Sequence, residues 1–179
     1  MRMILPFAFL VIAMCAAQPA GAQQVTKPTV PGASNFATLE TTVACGGATT
    51  PEAVPEIKKM GFNSIINLRL PNEAGANIEA EAAAAKTAGI NFYSIPFSGQ
   101  APDPAVADKF LDTVTAPGNQ PAYIHCAAGN RAGAMWMIKR LAVDHWDADR
   151  AYTEAAALGL TSPALKQFAV DYAQSHPRK

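Results

Sequence analysis

The chain has 179 residues, of which 50% are hydrophobic and 16% charged, and its formal net charge is +0. This is the make-up of one ordinary globular domain. Basic residues are scattered, so no surface is set aside for nucleic acid, and any anion has to be recognised by local groups.

Residues 1–22 read as a cleaved secretory signal: Arg2 precedes the apolar run Met3 to Ala17, and Ala20-Gly21-Ala22 offers a small-residue cleavage site. The run falls short of the roughly 20 apolar residues that a bilayer requires. Cys15 raises a lipoprotein alternative, but Met14 stands where such a signal needs a small residue. The mature chain is therefore expected in the periplasm of a bacterium, or secreted, with no membrane segment. Only Cys45 and Cys126 would remain, in an oxidising compartment.

Residues 23–35 carry Pro28 and Pro31 without any period and read as a flexible leader, with one domain expected over 36–179. Phe36 to Ala44 partly alternates and predicts a first strand, ending at Cys45-Gly46-Gly47. Thr50, Pro51 and Glu52 have the order of an N-cap, first position and acidic first turn, predicting a helix to Met60 that Gly61 stops. Phe62 to Leu70 is the continuous apolar run of a strand covered on both faces. An alanine-rich helix follows over Asn77 to Ala88, then a third strand over Ile90 to Pro96. Asp103 and Pro104 open a helix through Val106, Phe110, Leu111 and Val114. Tyr123 and Ile124 mark a fourth strand. Helices are predicted from Arg131, over Asp147 to Leu158 and over Ser162 to Ala173. Such alternation implies an α/β fold: a central parallel sheet of four to five strands with helices on both faces. Ligands of such sheets bind at the carboxyl ends of the strands.

The chemically richest of those ends is Pro121 to Ala134, PAYIHCAAGNRAGA. A strand delivers Cys126 to a loop of small residues that turns into a helix, where unpaired backbone N–H groups and the helix dipole favour an anion. A cysteine there is expected to react as a thiolate nucleophile. The amides of Ala127, Ala128, Gly129 and Asn130 would line the bound oxyanion, and the planar fork of Arg131 would grip two of its oxygens. His125 precedes the cysteine on the strand, so its side chain should face the other way, as a hydrogen-bonded structural histidine. No metal or cofactor is expected.

The segment His125 to Arg131 resembles the His-Cys-x-x-Gly-x-x-Arg-Ser/Thr signature of the cysteine-dependent dual-specificity and tyrosine phosphatases, with one residue fewer before the arginine and Ala132 in place of the hydroxyl. More of the chain is similar to the phosphatase-like domain of the bacterial beta-lactamase-hydrolase-like proteins. The likeness runs through the turn and helix from Gly46 to Met60, the strand Gly61 to Arg69 with Glu73, the shortened loop, and Trp136 on the next helix. It implies hydrolysis of a phosphoester through a phosphocysteine at Cys126, on a phosphorylated small molecule or protein, by a monomer. It also implies a general acid on the loop after the third strand. Asp103 is the candidate, and it reads equally as the N-cap of its helix. Arg69 and Glu73 read as a rim ion pair, a loop brace or a substrate contact, Arg69 being the candidate binding residue. Because the hydroxyl at Ala132 is missing, breakdown of the intermediate should be slow. Rhodanese-type sulfurtransferases also carry a cysteine loop of this shorter length, so transfer of a Cys126 persulfide stands as an alternative. A phosphate-binding module without turnover is another. Finally, Cys45 and Cys126 end strands at one edge of the sheet, and they could form a reversible disulfide if those strands are neighbours.

Overall fold

The computed structural model describes residues 24–40 and 42–177. The expected signal over 1–22 lies outside the described residues, and no helix among those described is long and apolar enough to cross a membrane. Six strands form one sheet in the order β1-β2-β3-β6-β4-β5. They are β1 (Val25–Thr26), β2 (Ala37–Leu39), β3 (Val43–Gly46), β4 (Ser64–Asn67), β5 (Asn91–Ser94) and β6 (Ala122–His125). The four strands β3, β6, β4 and β5 run parallel, whereas β1 and β2 pair antiparallel at one edge. The expected parallel sheet is thus present, extended at one edge by two antiparallel strands.

Two expectations at that edge are corrected. Phe36 to Ala44 is not one strand: Glu40 takes φ 46°, a left-handed conformation that reverses the chain, and β2 pairs with β3 as a hairpin. The stretch expected as a leader joins the domain. Val25 and Thr26 pair with Leu39 and Thr38, and Val30, at 5% exposure, packs in the core.

The helices are α1 (Val54–Lys59), α2 (Ile78–Ala88), α3 (Pro104–Thr115), α4 (Asn130–Ala142), α5 (Ala148–Ala157) and α6 (Pro163–Ser175), with a 3-10 turn over Pro51–Ala53 before α1. Thr50 precedes that turn, but its side chain accepts no capping hydrogen bond. Asp103, Asp147 and Ser162 do accept from the first turns of α3, α5 and α6.

Alternation along the strands sends side chains to two separate cores. Ala44, Ile65 and Tyr123 pack with Val54 and Ile57 of α1 and Ala85 of α2, whereas Cys45, Ile66 and Ile124 face Phe110, Leu111, Met135 and Ile138. α4 is the helix that follows the cysteine, and it is enclosed along most of its length. Its charged residues are paired inside the fold: Arg140 donates to Glu154 at 2.6 Å and Asp144 at 2.9 Å, and Lys139 to Asp144 at 2.8 Å. Trp136 completes this latch, its Nε1 donating to Glu154 at 2.7 Å.

The approach of α4 to the end of α5 is set by the missing side chain of Gly133. A Cβ there would lie 2.8 Å from Leu160 N and 3.1 Å from Ala155 O, both backbone atoms that cannot swing aside. Gly133→Ala should therefore destabilise the protein by about 1–3 kcal/mol through overpacking, although alanine is worth up to about 1 kcal/mol more than glycine in a helix. Urea unfolding measures this. A midpoint at or above the wild-type value would contradict the packing described.

Candidate active site

Cys126 leaves the end of β6 in the middle of the sheet, its N–H donating to Gly46 O at 3.2 Å, and it is 1% exposed. The loop behind it is held from outside. Ala127 O accepts from Ala48 N at 3.0 Å, and Ala128 O accepts from Asn35 Nδ2 at 3.3 Å. With these carbonyls tied outward, the chain turns at Gly129, φ 101°, which strains any residue bearing a Cβ. Gly129 N then donates to Cys126 Sγ at 3.1 Å. The first-turn amides of α4, which begins at the next residue, have no intrahelical acceptor and are available to an anion beside the sulfur.

Arg131 lies in the first turn of α4 with its side chain 11% exposed, and it is fixed on one side by carbonyls and a carboxylate. Nη1 donates to Leu68 O at 3.1 Å, Phe97 O at 2.9 Å and Glu73 Oε1 at 2.5 Å, and Nη2 donates to Glu73 Oε2 at 2.8 Å. This is the fork-to-fork arrangement of a strong arginine–carboxylate pair. The guanidinium also has a hydrogen bond with the Cys126 side chain, which sets it against the sulfur. Burial disfavours the charge on Arg131, but its hydrogen bonds to Glu73 and the electrostatic pull of Cys126 and Glu73 outweigh it, and its pKa is raised. Glu73 is held at about 2, first by its hydrogen bond with Arg131 and, against the effect of burial, by the N–H of Leu70 and by Arg69.

Arg69 braces the loop. Its Nε donates to Glu73 at 3.3 Å, Nη1 to Gly75 O at 2.8 Å and Nη2 to Ala74 O at 2.5 Å, so every nitrogen of its guanidinium is bonded to the turn. Of the sequence alternatives, the structure contains both the ion pair with Glu73 and the loop brace. Two guanidiniums against one carboxylate leave one positive charge in excess beside the sulfur.

Other expected site residues are placed differently. Asn130 spends its Oδ1 on Thr161 N at 2.7 Å and Ser162 N at 2.8 Å, tying the α5–α6 connection to the cysteine loop, so its side chain is a structural tether. Asp103 is exposed and accepts from Ala105 N at 2.9 Å, which makes it the N-cap of α3 here. No hydrogen bond or ion pair among the described residues joins it to Cys126 or Arg131. The loop that precedes it does reach the site: a Cβ at Gly99 would sit 3.5 Å from Arg131 Cγ.

Cys45 and Cys126 are both buried, free and on the same face of adjacent strands. The register pairs Cys45 with Ile124, two residues short of Cys126. At the usual strand spacing and rise, the two Cα atoms are about 8 Å apart, beyond the roughly 7 Å limit of an unstrained bridge. Burial first, then the charges at Cys126 and Glu154, push the Cys45 thiol well above its ordinary pKa, so it is a poor resolving nucleophile. Ideal strand geometry and a raised thiol pKa therefore both weigh against a direct Cys45–Cys126 bridge.

Sequence reasoning missed Glu81, which is 2% exposed beneath the site. Its Oε1 lies 2.8 Å from His125 Nε2, and its Oε2 accepts from Asn67 Nδ2 at 2.8 Å. The readable signal is its position on the inward stripe of α2 with Ala85, where a carboxylate needs a partner. His125 faces that core and stacks on Tyr123 at 5.5 Å between ring centroids, away from the sulfur.

Residues 15–169 match the family model described as PTP-NADK, a DSP-PTPase phosphatase fused to NAD+ kinase. The chain belongs to this family, within the cysteine-dependent, dual-specificity-like phosphatases. Solved structures share the dual-specificity-like fold. A DUF442 protein from Shewanella putrefaciens CN-32 aligns with TM-score 0.67 and 17% identity over 82% of this chain and 96% of that one. The core catalytic domain of the PP-IP phosphatase SIW14 from S. cerevisiae, in complex with citrate, gives 0.65 and 23% over 80% and 88%. A variant of TpbA from P. aeruginosa in complex with pTyr gives 0.65 and 14% over 88% and 98%. A search of curated proteins gives no match.

The lowered pKa of Glu73 has a consequence for stability. A carboxyl whose folded pKa lies below its unfolded value contributes stability above the unfolded value and loses it as pH falls through the folded one. The wild-type advantage over Glu73→Gln should therefore be full at pH 6 and fade between about 4.5 and about 2. Urea unfolding of both proteins at pH 6 and pH 3 measures it, and a difference that does not change with pH would contradict the pairing.

Proposed function

We propose that this phosphatase-like protein hydrolyses phosphoesters through a phosphocysteine at Cys126. The observation that carries the proposal is the sulfur of Cys126, receiving the Gly129 amide at the start of α4 with Arg131 in the same loop. In this reading the sulfur attacks phosphorus and the bond to the leaving oxygen breaks, while the loop amides and the Arg131 guanidinium stabilise the charge on the equatorial oxygens. Water then cleaves the phosphorus–sulfur bond, releasing phosphate and the thiolate. Glu73 keeps the guanidinium charged and turned toward the sulfur. Family membership favours this chemistry over persulfide transfer. The methyl of Ala132 provides no hydroxyl to assist departure of the thiolate, which supports a slow second step.

For the substrate, the loops at the strand ends, 46–50, 70–77, 96–103 and 126–130, contain no lysine or arginine. Arg69, just before the second loop, is spent on its turn. Such a rim suits a monoester with an uncharged aryl or alkyl leaving group, as phosphotyrosine is, better than a densely phosphorylated ring. TpbA was solved with pTyr, whereas SIW14 is described as a PP-IP phosphatase. An exported protein meeting phosphomonoesters in the periplasm completes the proposal.

Turnover of p-nitrophenyl phosphate should vanish in Cys126→Ser and fall about 10²- to 10³-fold in Arg131→Ala, the scale of a lost oxyanion donor. Unchanged turnover in Cys126→Ser, or transfer of sulfur from thiosulfate to cyanide faster than phosphate release, would overturn the reading. We assign protonation of the leaving oxygen to Asp103, on the loop that folds over Arg131. Asp103→Asn separates this role from capping, because asparagine caps a helix as well as aspartate does. It should lower kcat on an alkyl phosphate about 10²- to 10⁴-fold with Tm unchanged; an unaltered kcat would leave Asp103 as a cap alone.

A further inference from the structure

Most groups near Cys126 are accounted for by the reaction or by the core, but one buried carboxylate is not. Glu81 stands on α2, on the opposite side of the sheet from α4, and contributes no atom to the anion site. A carboxylate at 2% exposure is costly unless its position is used, and an alanine-rich helix does not need it for stability.

Its two oxygens are divided between the two segments that carry the site. Oε1 faces His125, the residue before Cys126, at 2.8 Å. Oε2 accepts from Asn67 at 2.8 Å. Asn67 Oδ1 in turn accepts the N–H of Arg69 at 2.8 Å, which fixes the start of the turn whose Glu73 orients Arg131. Between these segments β4 and β6 are bonded in register, Asn67 beside His125, and Leu68 N donates to His125 O at 2.9 Å. His125 has no side-chain freedom in this arrangement, being fully buried between Tyr123 and Glu81. The contact is one of proximity: Glu81 Oε1 and both ring nitrogens of His125 are buried without a hydrogen-bond partner among the described residues, so the pair is held by packing and by the Asn67 bond on the other oxygen. Removing the carboxylate would release both segments at once.

We infer that Glu81 is a positioning residue for the reaction, setting the sulfur of Cys126 and the guanidinium of Arg131 relative to one another through His125 and Asn67. The inference rests on the phosphatase reading for its kinetic arm only. Catalytic groups moved by a fraction of an ångström lose transition-state contacts while the substrate still binds.

The test is Glu81→Gln, which keeps the shape and replaces one acceptor by a donor. It should lower kcat for p-nitrophenyl phosphate about 10²-fold, the cost of misplacement on the ångström scale, and raise KM no more than the roughly tenfold expected for phosphate itself. Adding His125→Gln to Glu81→Gln should cost little more, since the two act as one unit. A role in folding alone would lower Tm and leave kcat per folded molecule unchanged, and that result would overturn the inference. If Glu81→Gln does not fold, Asn67→Ala removes only the arm toward Arg131 and should lower kcat in the same way; a wild-type kcat in it would count against the relay. Affinity for inorganic phosphate, measured by calorimetry, separates this inference from the reading beneath it. A wild type that binds phosphate without turnover would refute the phosphatase reading, yet Glu81→Gln should still bind about tenfold more weakly. A wild type that neither binds nor turns over would refute both.

Discussion

A half-buried guanidinium beside a buried sulfur is the constraint around which this molecule is arranged. Arg131 cannot shed its charge, so the fold supplies acceptors: Glu73 in bidentate contact, and the carbonyls of Leu68 and Phe97 from the ends of two neighbouring segments. Those acceptors come from the loops after β4 and β5, and Arg131 itself comes from the first turn of α4, which follows β6. One side chain thereby pins three strand ends together. Glu73 needs its own support, which Arg69 provides from the turn that carries it.

The same logic accounts for what lies behind the loop. Carbonyls of Ala127 and Ala128 are drawn outward by Ala48 and Asn35, so the amide of Gly129 is free to face the sulfur. Asn35 belongs to the stretch that adds an edge to the sheet, and Ala48 to the turn after β3. α4 can start in the middle of the protein because its charged residues, Lys139 and Arg140, find Asp144 and Glu154 inside the fold. Stability and the proposed anion site draw on the same loops, and a change in either is expected to reach the other.

Much of this was legible in the sequence, because much of it is local. Gly-stopped helices, the acidic caps at Asp103 and Asp147, and the strand–cysteine–glycine–arginine order all act within a few residues. What was not legible depends on partners distant in the chain. The reversal at Glu40 turns one apparent strand into a hairpin, and only pairing with β3 reveals it. Residues 25–26 carry no strand pattern until β2 offers its edge. The tether made by the Asn130 side chain was hidden because its partners, Thr161 and Ser162, lie two helices farther on, past α4 and α5. Glu81 was hidden by composition: a glutamate among alanines reads as a helix former, and its burial follows from where α2 packs.

The family places this chain among the dual-specificity-like phosphatases, and the geometry gives that placement a chemical centre in Cys126. The central claim is that a phosphoryl group passes through that sulfur. Acid quench during turnover of p-nitrophenyl phosphate, followed by mass spectrometry of the peptide containing Cys126, tests it most directly. The account predicts a peptide heavier by one phosphoryl group on Cys126, abundant because Ala132 offers the thiolate no hydroxyl. A peptide that remains unmodified while phosphate is released, or one that gains only sulfur when thiosulfate is supplied, would contradict it.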